Sequence, residues 1–334
     1  MRNSGLKVTF TSFPKPSASV RRDGVILLGM NKSFTLVQLR YFGMVARLEN
    51  MTAAAAELNV TQSTLSSAIG RLEEEFGASL FTRLSSKGLR LTPAGKRLLL
   101  GSQAFLEEAD MLYQSVQEEG ESLTGNLVIG MYTPLAPFKA PVILQAFEAK
   151  YPQVKVSFHE GDQESLRQAL LDGICELALM YDQGVGEEFS RRVVERVPPH
   201  ILVPADHPRA ATPQVPVSLR DFAEEPLILL DAKHTREYYL EMFSKIGVSP
   251  HIRHVVTGYA TVRSFVARGH GYSILNQRLE NDSTYAGGSV VGLEILEDLA
   301  PIEVSLVRPA GAKATRKSLA FEKVCIEMYA AEPR

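Results

Sequence analysis

Cysteine is almost missing from this chain: Cys175 and Cys325 stand 150 positions apart in 334 residues. Such a pair cannot build a disulfide framework or a Cys-rich zinc site. It suits a reducing compartment, and a cytoplasmic location is expected. Long apolar runs are missing too. Stretches such as Val25 to Leu28 and Leu227 to Leu230 fall far short of the roughly 20 residues a spanning helix needs, so no membrane role is expected. A secretory signal is not expected either, because Val25 to Met30 is shorter than the apolar core of about 7–15 residues that it requires. There is no G-x-S-x-G elbow, no P-loop, no H-E-x-x-H and no G-x-G-x-x-G after the first C-terminal strand. An enzyme therefore does not announce itself, and no metal or cofactor is expected.

What is present is a globular composition, with 45% hydrophobic and 22% charged residues, in a chain long enough for two or three domains. The net charge of −2 conceals an asymmetry: residues 1–97 carry 14 Lys and Arg against 6 Asp and Glu, net +8, and the remainder carries 22 against 32, net −10. A basic head on an acidic body suggests a polyanion-binding part joined to one with another task. The bland explanation is a fluctuation plus a basic tail, since residues 1–33 hold +5 of the +8. Pattern must therefore decide.

Four segments follow from pattern. Residues 1–33 mix proline, serine and scattered cations without a period. They are expected to be a disordered extension, residues 1–29 being additional or a mis-assigned start ahead of Met30. Residues 34–92 form a compact helical module. Leu36, Leu39, Phe42, Val45 and Ala46 make one helix face, closed by Asn50. Thr52 is expected to cap a short helix over Ala53 to Leu58, Asn59 and Val60 to turn, and Thr61 to cap a third helix with Leu65, Ile69, Leu72 and Phe76 buried and Gly77 as its stop. Two helices joined by a tight turn, the second amphipathic, make a helix-turn-helix pattern.

The exposed edge of the third helix carries Gln62, Ser63, Thr64, Ser66 and Ser67, with Arg71 further along. These short donors and acceptors can reach base edges in a major groove, the Gln amide suiting adenine. Phe81 to Thr92 then reads as a β-wing around Ser85-Ser86-Lys87-Gly88, with Arg83, Lys87 and Arg90 placed for phosphates. A solvated helix face would be the default for polar residues alone. Turn, cap, apolar stripe and basic wing in that order outweigh it. Glu73-Glu74-Glu75 is read as a solvated charge run.

Residues 93–124 are read as a long helix from Pro93 followed by a hinge near Gly120 and Gly125. Leu98, Phe105 and Leu112 interleave with Ser102, Ala109 and Val116 at spacings of 4 and 3, a coiled-coil seam that implies a partner helix. Residues 125–334 alternate strand and helix, which predicts an α/β domain with mainly parallel pairing and two lobes around a cleft.

The run from Leu39 to Leu99, LRYFGMVARLENMTAAAAELNVTQSTLSSAIGRLEEEFGASLFTRLSSKGLRLTPAGKRLL, resembles the DNA-binding head of LysR-type transcriptional regulators. Leu171 to Glu176 resembles the family's Leu-x-x-Gly-x-x-Asp element with Glu in place of Asp, and Gly269-His-Gly271 followed by Tyr272 to Leu275 resembles its Gly-x-Gly-hydrophobic element. The resemblance implies a winged helix-turn-helix, a linker helix and a two-lobed α/β domain similar to periplasmic binding proteins. It also implies a homodimer or homotetramer on double-stranded promoter DNA, RNA polymerase as a further partner, and a small-molecule effector between the lobes. DNA contacts would come from Thr52, Gln62, Ser63, Thr64, Ser67, Arg71, Arg83, Lys87 and Arg90. Family members often have Pro at the position of Ser63 and Arg at that of Ser67; serine at 67 removes one base or phosphate contact.

The effector would meet Tyr132, Thr133 and Pro134 after the first strand of the lobes and Gly161 and Asp162 after the second. Asp231, His234, Thr235 and Arg236, with Thr257, would face them. Thr133, helix N-terminal amides and Arg236 suit a carboxylate, whereas Asp162 and Asp231 oppose a purely anionic ligand, so an amine or zwitterion stays open. An oxidant-responsive regulator sensing through cysteine is the rival within the family. Cys175 in an apolar segment and Cys325 in a C-terminal helix favour structural thiols. A periplasmic binding protein is opposed by residues 34–92.

Overall fold

A computed structural model describes residues 34–83, 88–116, 123–231 and 235–331. The extension over 1–33, Lys87, the hinge around Gly120 and His234 lie outside the described residues, as does the side chain of Val116.

Helix α1 (Leu36–Leu48) opens with a capping box. The Thr35 hydroxyl accepts the Gln38 N–H at 3.1 Å, and Gln38 Oε1 accepts the Thr35 N–H at 2.7 Å. Helix α2 (Met51–Glu57) is capped by Asn50, whose Oδ1 accepts the N–H groups of Thr52 and Ala53 at 2.9 and 3.0 Å. The expected cap is thus corrected: the Asn50 carbonyl takes the orphan N–H groups, and Thr52 lies in the first turn with an exposed side chain. Thr61 caps α3 (Gln62–Phe76), and Gly77 closes it at φ +62°. Leu39, Phe42, Val45, Leu65, Ile69 and Leu72 are buried together, each worth roughly 1.5–3 kcal/mol relative to exposure. Phe76 leaves that stripe. It is 40% exposed at the helix end, where its ring meets Phe34 at 5.5 Å.

Strands β1 (Phe81–Arg83) and β2 (Leu89–Leu91) pair antiparallel as the wing. Glu73 departs from the solvated-run reading: its Oε1 accepts the Leu80 N–H at 2.7 Å and fastens the approach to the wing. Helix α4 (Pro93–Val116) begins where the Thr92 hydroxyl accepts the Gly95 N–H at 3.0 Å. Glycine is needed at 95, because a Cβ there would stand 2.2 Å from the Leu80 carbonyl oxygen.

The remaining chain runs β3 (Gly125–Tyr132), α5 (Ala136–Lys150), β4 (Val154–Gly161), α6 (Gln163–Leu171), β5 (Leu177–Tyr181) and β6 (Phe189–Val197), then crosses to a second lobe. There it forms β7 (His200–Pro204), β8 (Pro226–Leu230), α7 (Thr235–Lys245), β9 (His251–Val256), α8 (Tyr259–Ala267), β10 (Ser273–Leu275) and β11 (Val290–Glu294). It returns as β12 (Ile302–Pro309) and α9 (Arg316–Ala331). The first lobe is a five-stranded sheet of order β4-β3-β5-β12-β6. The second lobe sets β10-β7-β11 beside the parallel pair β8-β9. Tyr272 joins them, donating its N–H to Pro226 O at 3.0 Å and accepting from Ile228 N at 2.8 Å. Gly271 makes this join feasible, with φ +145° and a site where a Cβ would lie 2.0 Å from Pro226 O. Each lobe has its own apolar core.

Pairing is mixed, not mainly parallel. β3 runs parallel to β4 and β5, but β12 is antiparallel to β5 and β6, and β7 is antiparallel to β10 and β11. The return of β12 from the second lobe reverses its direction, and hydrophobic periodicity carries no strand polarity.

His200 on central strand β7 is buried in the second core, and its pKa is pulled down to about 3, first by burial and then by Arg278 and Arg263. The folded state therefore holds it neutral while the unfolded chain takes up a proton below about pH 6.5. Stability unaffected at pH 7 should fall by roughly 2 kcal/mol between pH 7 and pH 5 through this group. Urea titrations of the native chain and of His200→Gln should show the smaller acid loss for the variant.

Candidate functional site

On the head, Gln62, Ser63, Thr64, Ser67 and Arg71 are all exposed on α3, with Thr52 beside them on α2. Thr52 Oγ1 lies 3.4 Å from Gln62 Oε1 and tethers the amide. The Thr61 hydroxyl lies 2.9 Å from that of Ser63 and 2.8 Å from that of Thr64. The α3 N-terminus thus presents a set of neutral hydroxyls, one amide and the positive end of its dipole, which suits phosphate and base edges alike. The wing cations separate. Register places Arg83 opposite Leu89 and Arg90 opposite Thr82, so the two arginines stand on opposite faces of the ribbon. Arg90 lines a cavity of about 450 Å³ between head and first lobe, with Arg47, Lys96 and Asp172.

Helix α4 has two unlike faces. Phe105 and Leu112 are exposed, Leu98 and Ala109 half-buried, and Ser102 is buried with its hydroxyl donating to Leu99 O at 3.1 Å. The opposite side is fastened to the first lobe. Glu107 accepts the Arg316 N–H at the start of α9 and pairs with Lys317 Nζ at 2.8 Å. Gln103 Nε2 donates to Gly173 O at 3.2 Å, Glu108 pairs with Lys313, and Lys96 pairs with Asp172. A carboxylate at a helix N-terminus gains from both the free N–H groups and the dipole. Met111 Sδ also accepts from Arg316 Nη1 at 3.0 Å.

Between the lobes lies a cleft of about 20 Å³, room for roughly one water. Of the residues expected there, it gathers Tyr132, Pro134 and Thr235. Thr133 is exposed, with its N–H donating to Gly161 O at 3.0 Å. Asp162 caps α6 by accepting the Ser165 N–H at 2.7 Å. Asp231 and Arg236 form an ion pair at 3.1 Å, and Thr257 is exposed away from the lining. Sequence reasoning missed Tyr181, Tyr239, Tyr259, Asn276 and Gln277, which complete the walls. A signal was present: Asn276-Gln277 follows directly on the Gly-x-Gly-hydrophobic element, and a polar pair after a buried strand needs partners.

Asn276 binds that site to both crossovers. Its Nδ2 donates to Val197 O at 2.9 Å, where β6 leaves the first lobe, and to Tyr238 Oη at 2.8 Å. The Tyr238 hydroxyl donates to Ala300 O at 2.9 Å, on the return path, and the Tyr239 hydroxyl donates to Asn276 Oδ1 at 3.0 Å. Tyr259 Oη donates to Gln277 O at 2.7 Å. Burial pushes the Tyr132 and Tyr238 phenols up to about 12, with Asp162 adding to the first, and raises Tyr181, Tyr239 and Tyr259 as well. All are neutral O–H groups at neutral pH.

Cys175 and Cys325 are buried in the first core, and burial pushes both thiols up to about 12. A thiol so placed carries almost no thiolate. Among the described residues no group of His, Cys, Asp and Glu could hold a metal ion, and no helix is long and apolar enough to cross a membrane.

A polar exposed edge on a winged helix-turn-helix, a long linker helix and a two-lobed α/β domain define a DNA-binding transcriptional regulator with an effector domain. Its family is the LysR-type regulators: the description "Bacterial regulatory helix-turn-helix protein, lysR family" matches residues 36–96, and "LysR substrate binding domain" matches residues 120–330. The chain belongs to that family. It is 31% identical to the HTH-type transcriptional regulator YnfL of Escherichia coli, over 72% of this chain and 81% of that protein. The crystal structure of HinK, a LysR family regulator from Pseudomonas aeruginosa, superposes with a TM-score of 0.60 at 30% identity, covering 89% of this chain and 99% of that one. A full-length OxyR variant from Pseudomonas aeruginosa gives a TM-score of 0.67 at 25% identity, covering 88% and 98%.

Asn276→Ala leaves the Tyr239 hydroxyl and the Val197 carbonyl without their partners. It should cost about 2–4 kcal/mol, given about 1–3 kcal/mol for each buried group left unpaired. Urea unfolding followed by circular dichroism measures it.

Proposed function

We propose that this regulator reads promoter DNA with α3, as a dimer or tetramer assembled through α4, and that a small molecule between the lobes resets the placement of the heads. The observation that carries the reading is the wholly exposed amide-and-hydroxyl edge of α3 on a buried three-helix core. Gln62 and Arg71 are assigned to bases, with Ser63, Thr64 and Ser67 on either base edges or backbone. Thr52 holds Gln62, and Arg83, Lys87 and Arg90 serve phosphates. In this division residues 34–92 are the head, 93–124 the linker and hinge, and 125–334 the effector domain.

The exposed Phe105 and Leu112, with Leu98, Ala109 and Val116 in the same seam, supply the dimer contact. Tyr132, Thr133, Pro134, Gly161, Asp162, Asp231, His234, Thr235, Arg236 and Thr257 frame the effector entrance around the tyrosine-walled cleft. The protein works in the cytoplasm without catalysing a reaction, and RNA polymerase receives its output. Hydrogen peroxide-inducible genes activators are among its relatives at 28–29% identity, but the buried, high-pKa thiols give cysteine oxidation no support here.

Two expectations test the reading. Gln62→Ala should weaken binding to the preferred sequence by about 1–3 kcal/mol and leave random duplex nearly unchanged, whereas Arg83→Ala should weaken both and reduce the salt slope by about 1. Equal losses for Gln62→Ala on both duplexes, in fluorescence anisotropy, would remove its base-reading role. The double variant Phe105→Glu with Leu112→Glu should lower dimer affinity at least tenfold in sedimentation velocity, and an unchanged dimer would move the interface off this seam.

A further inference from the structure

The cleft walls are chemically one-sided. Tyr132 and Tyr181 of the first lobe meet at 5.2 Å, and Tyr239 and Tyr259 come from the second lobe, with Leu230 and Leu275 between. Phe138 of α5 and Tyr259 of α8 close the lobes on each other, rings 5.2 Å apart and nearly perpendicular at 88°. Among the described residues no charged side chain lines the cleft. The carboxylates nearby are already engaged, since Asp231 holds Arg236 and Asp162 caps α6, while the buried Arg263 stands behind the wall, donating to Asn281 O at 2.8 Å and to the Tyr259 phenol.

An ion entering this space would lose its hydration with no charged side chain among the described lining residues to touch it, which is costly. A flat π-system would replace the ring–ring contacts it displaces, since offset and edge-on aromatic pairs are favourable. One polar group points to a ligand. Gln277 is 6% exposed and stands in the cleft lining with its amide against the Tyr181 phenol, and its Nε2 has no closer partner. An acceptor on a bound molecule would complete this buried donor more closely than the phenol does.

We propose that the cleft takes an uncharged, planar aromatic or heteroaromatic molecule, sandwiched between the tyrosines of the two lobes with a carbonyl or ring-nitrogen acceptor on Gln277 Nε2. The inference rests on the reading that the effector binds between the lobes, and it narrows the ligand to a class. Because small-ligand pockets run to about 300–1,000 Å³, entry opens the cleft, and the Phe138–Tyr259 contact is the part that yields.

The test uses the full chain and matched probes: benzamide and nicotinamide as neutral members, benzoate and nicotinate as anions, benzylamine as the cation. Binding is read by thermal shift and calorimetry at pH 7.5. A neutral member should raise the Tm, as any ligand of the native state alone does, and its charged counterparts should leave it unchanged. Gln277→Leu should weaken the neutral probe about tenfold, and Tyr181→Ala should weaken it further; circular dichroism confirms that both variants fold. Binding of an anion or the cation as tight as that of its neutral counterpart, abolished by Tyr181→Ala, overturns the class but keeps the cleft as the site. Neutral binding indifferent to both substitutions overturns the cleft itself, and no shift with either neutral probe overturns the aromatic class.

Discussion

Helix α4 is shared by two bodies, and everything mechanical in the molecule follows from that. Its first turns belong to the head, with Gly95 pressed on the Leu80 carbonyl and Leu99 in the head core. Its middle belongs to the first lobe, where the Glu107 carboxylate takes up the start of α9 and Gln103 reaches Gly173. Gly173 stands so near Leu99 that a Cβ would lie 2.7 Å from its side chain. The exposed ion pairs along this junction are worth little singly. The half-buried Glu107–Lys317 pair, reinforced by the helix terminus, is the firm point, since losing one partner would strand a buried charge.

The head and the cleft solve opposite electrostatic problems. In the proposed reading the head attracts a polyanion with neutral hydroxyls around a helix N-terminus and with cations on the wing. The cleft must discriminate among small molecules in a low dielectric. Its tyrosines, held neutral by burial, offer hydrogen bonds without a net field. The acidic balance of residues 98–334 is spread over the lobes, where some of the Asp and Glu pair with Lys and Arg, as Glu195 with Lys139, Glu327 with Lys150 and Glu303 with Arg196.

Much of the head was legible in the sequence because its signals are local. Thr61 as a cap, Gly77 as a stop and the stripe Leu65, Ile69, Leu72 depend only on neighbours within a turn. The errors there are also local: Asn50 and Thr52 are both good cap residues two positions apart, and Phe76 sits on the right face but beyond the end of the core. The cleft was legible only where a loop follows a strand, as at Tyr132 and Pro134. Tyr181, Tyr239, Asn276 and Gln277 come from distant elements that meet only after both crossovers are made, and no periodicity encodes that meeting. The charged residues expected at the cleft were read as free because the sequence does not show that Asp231 and Arg236 neutralise each other, or that Asp162 serves as a cap.

Asn276 grips the outgoing path through Val197 and, by way of Tyr238, the returning one at Ala300. The two connections between the lobes therefore share one side chain, and a rotation of one lobe on the other strains its bonds to both. Under the proposed coupling of cleft to heads, a compound that enters without dislodging this amide would occupy the protein and leave the heads where they are. Molecules of the same shape can thus divide into inducers and silent competitors according to what they do to a single side chain.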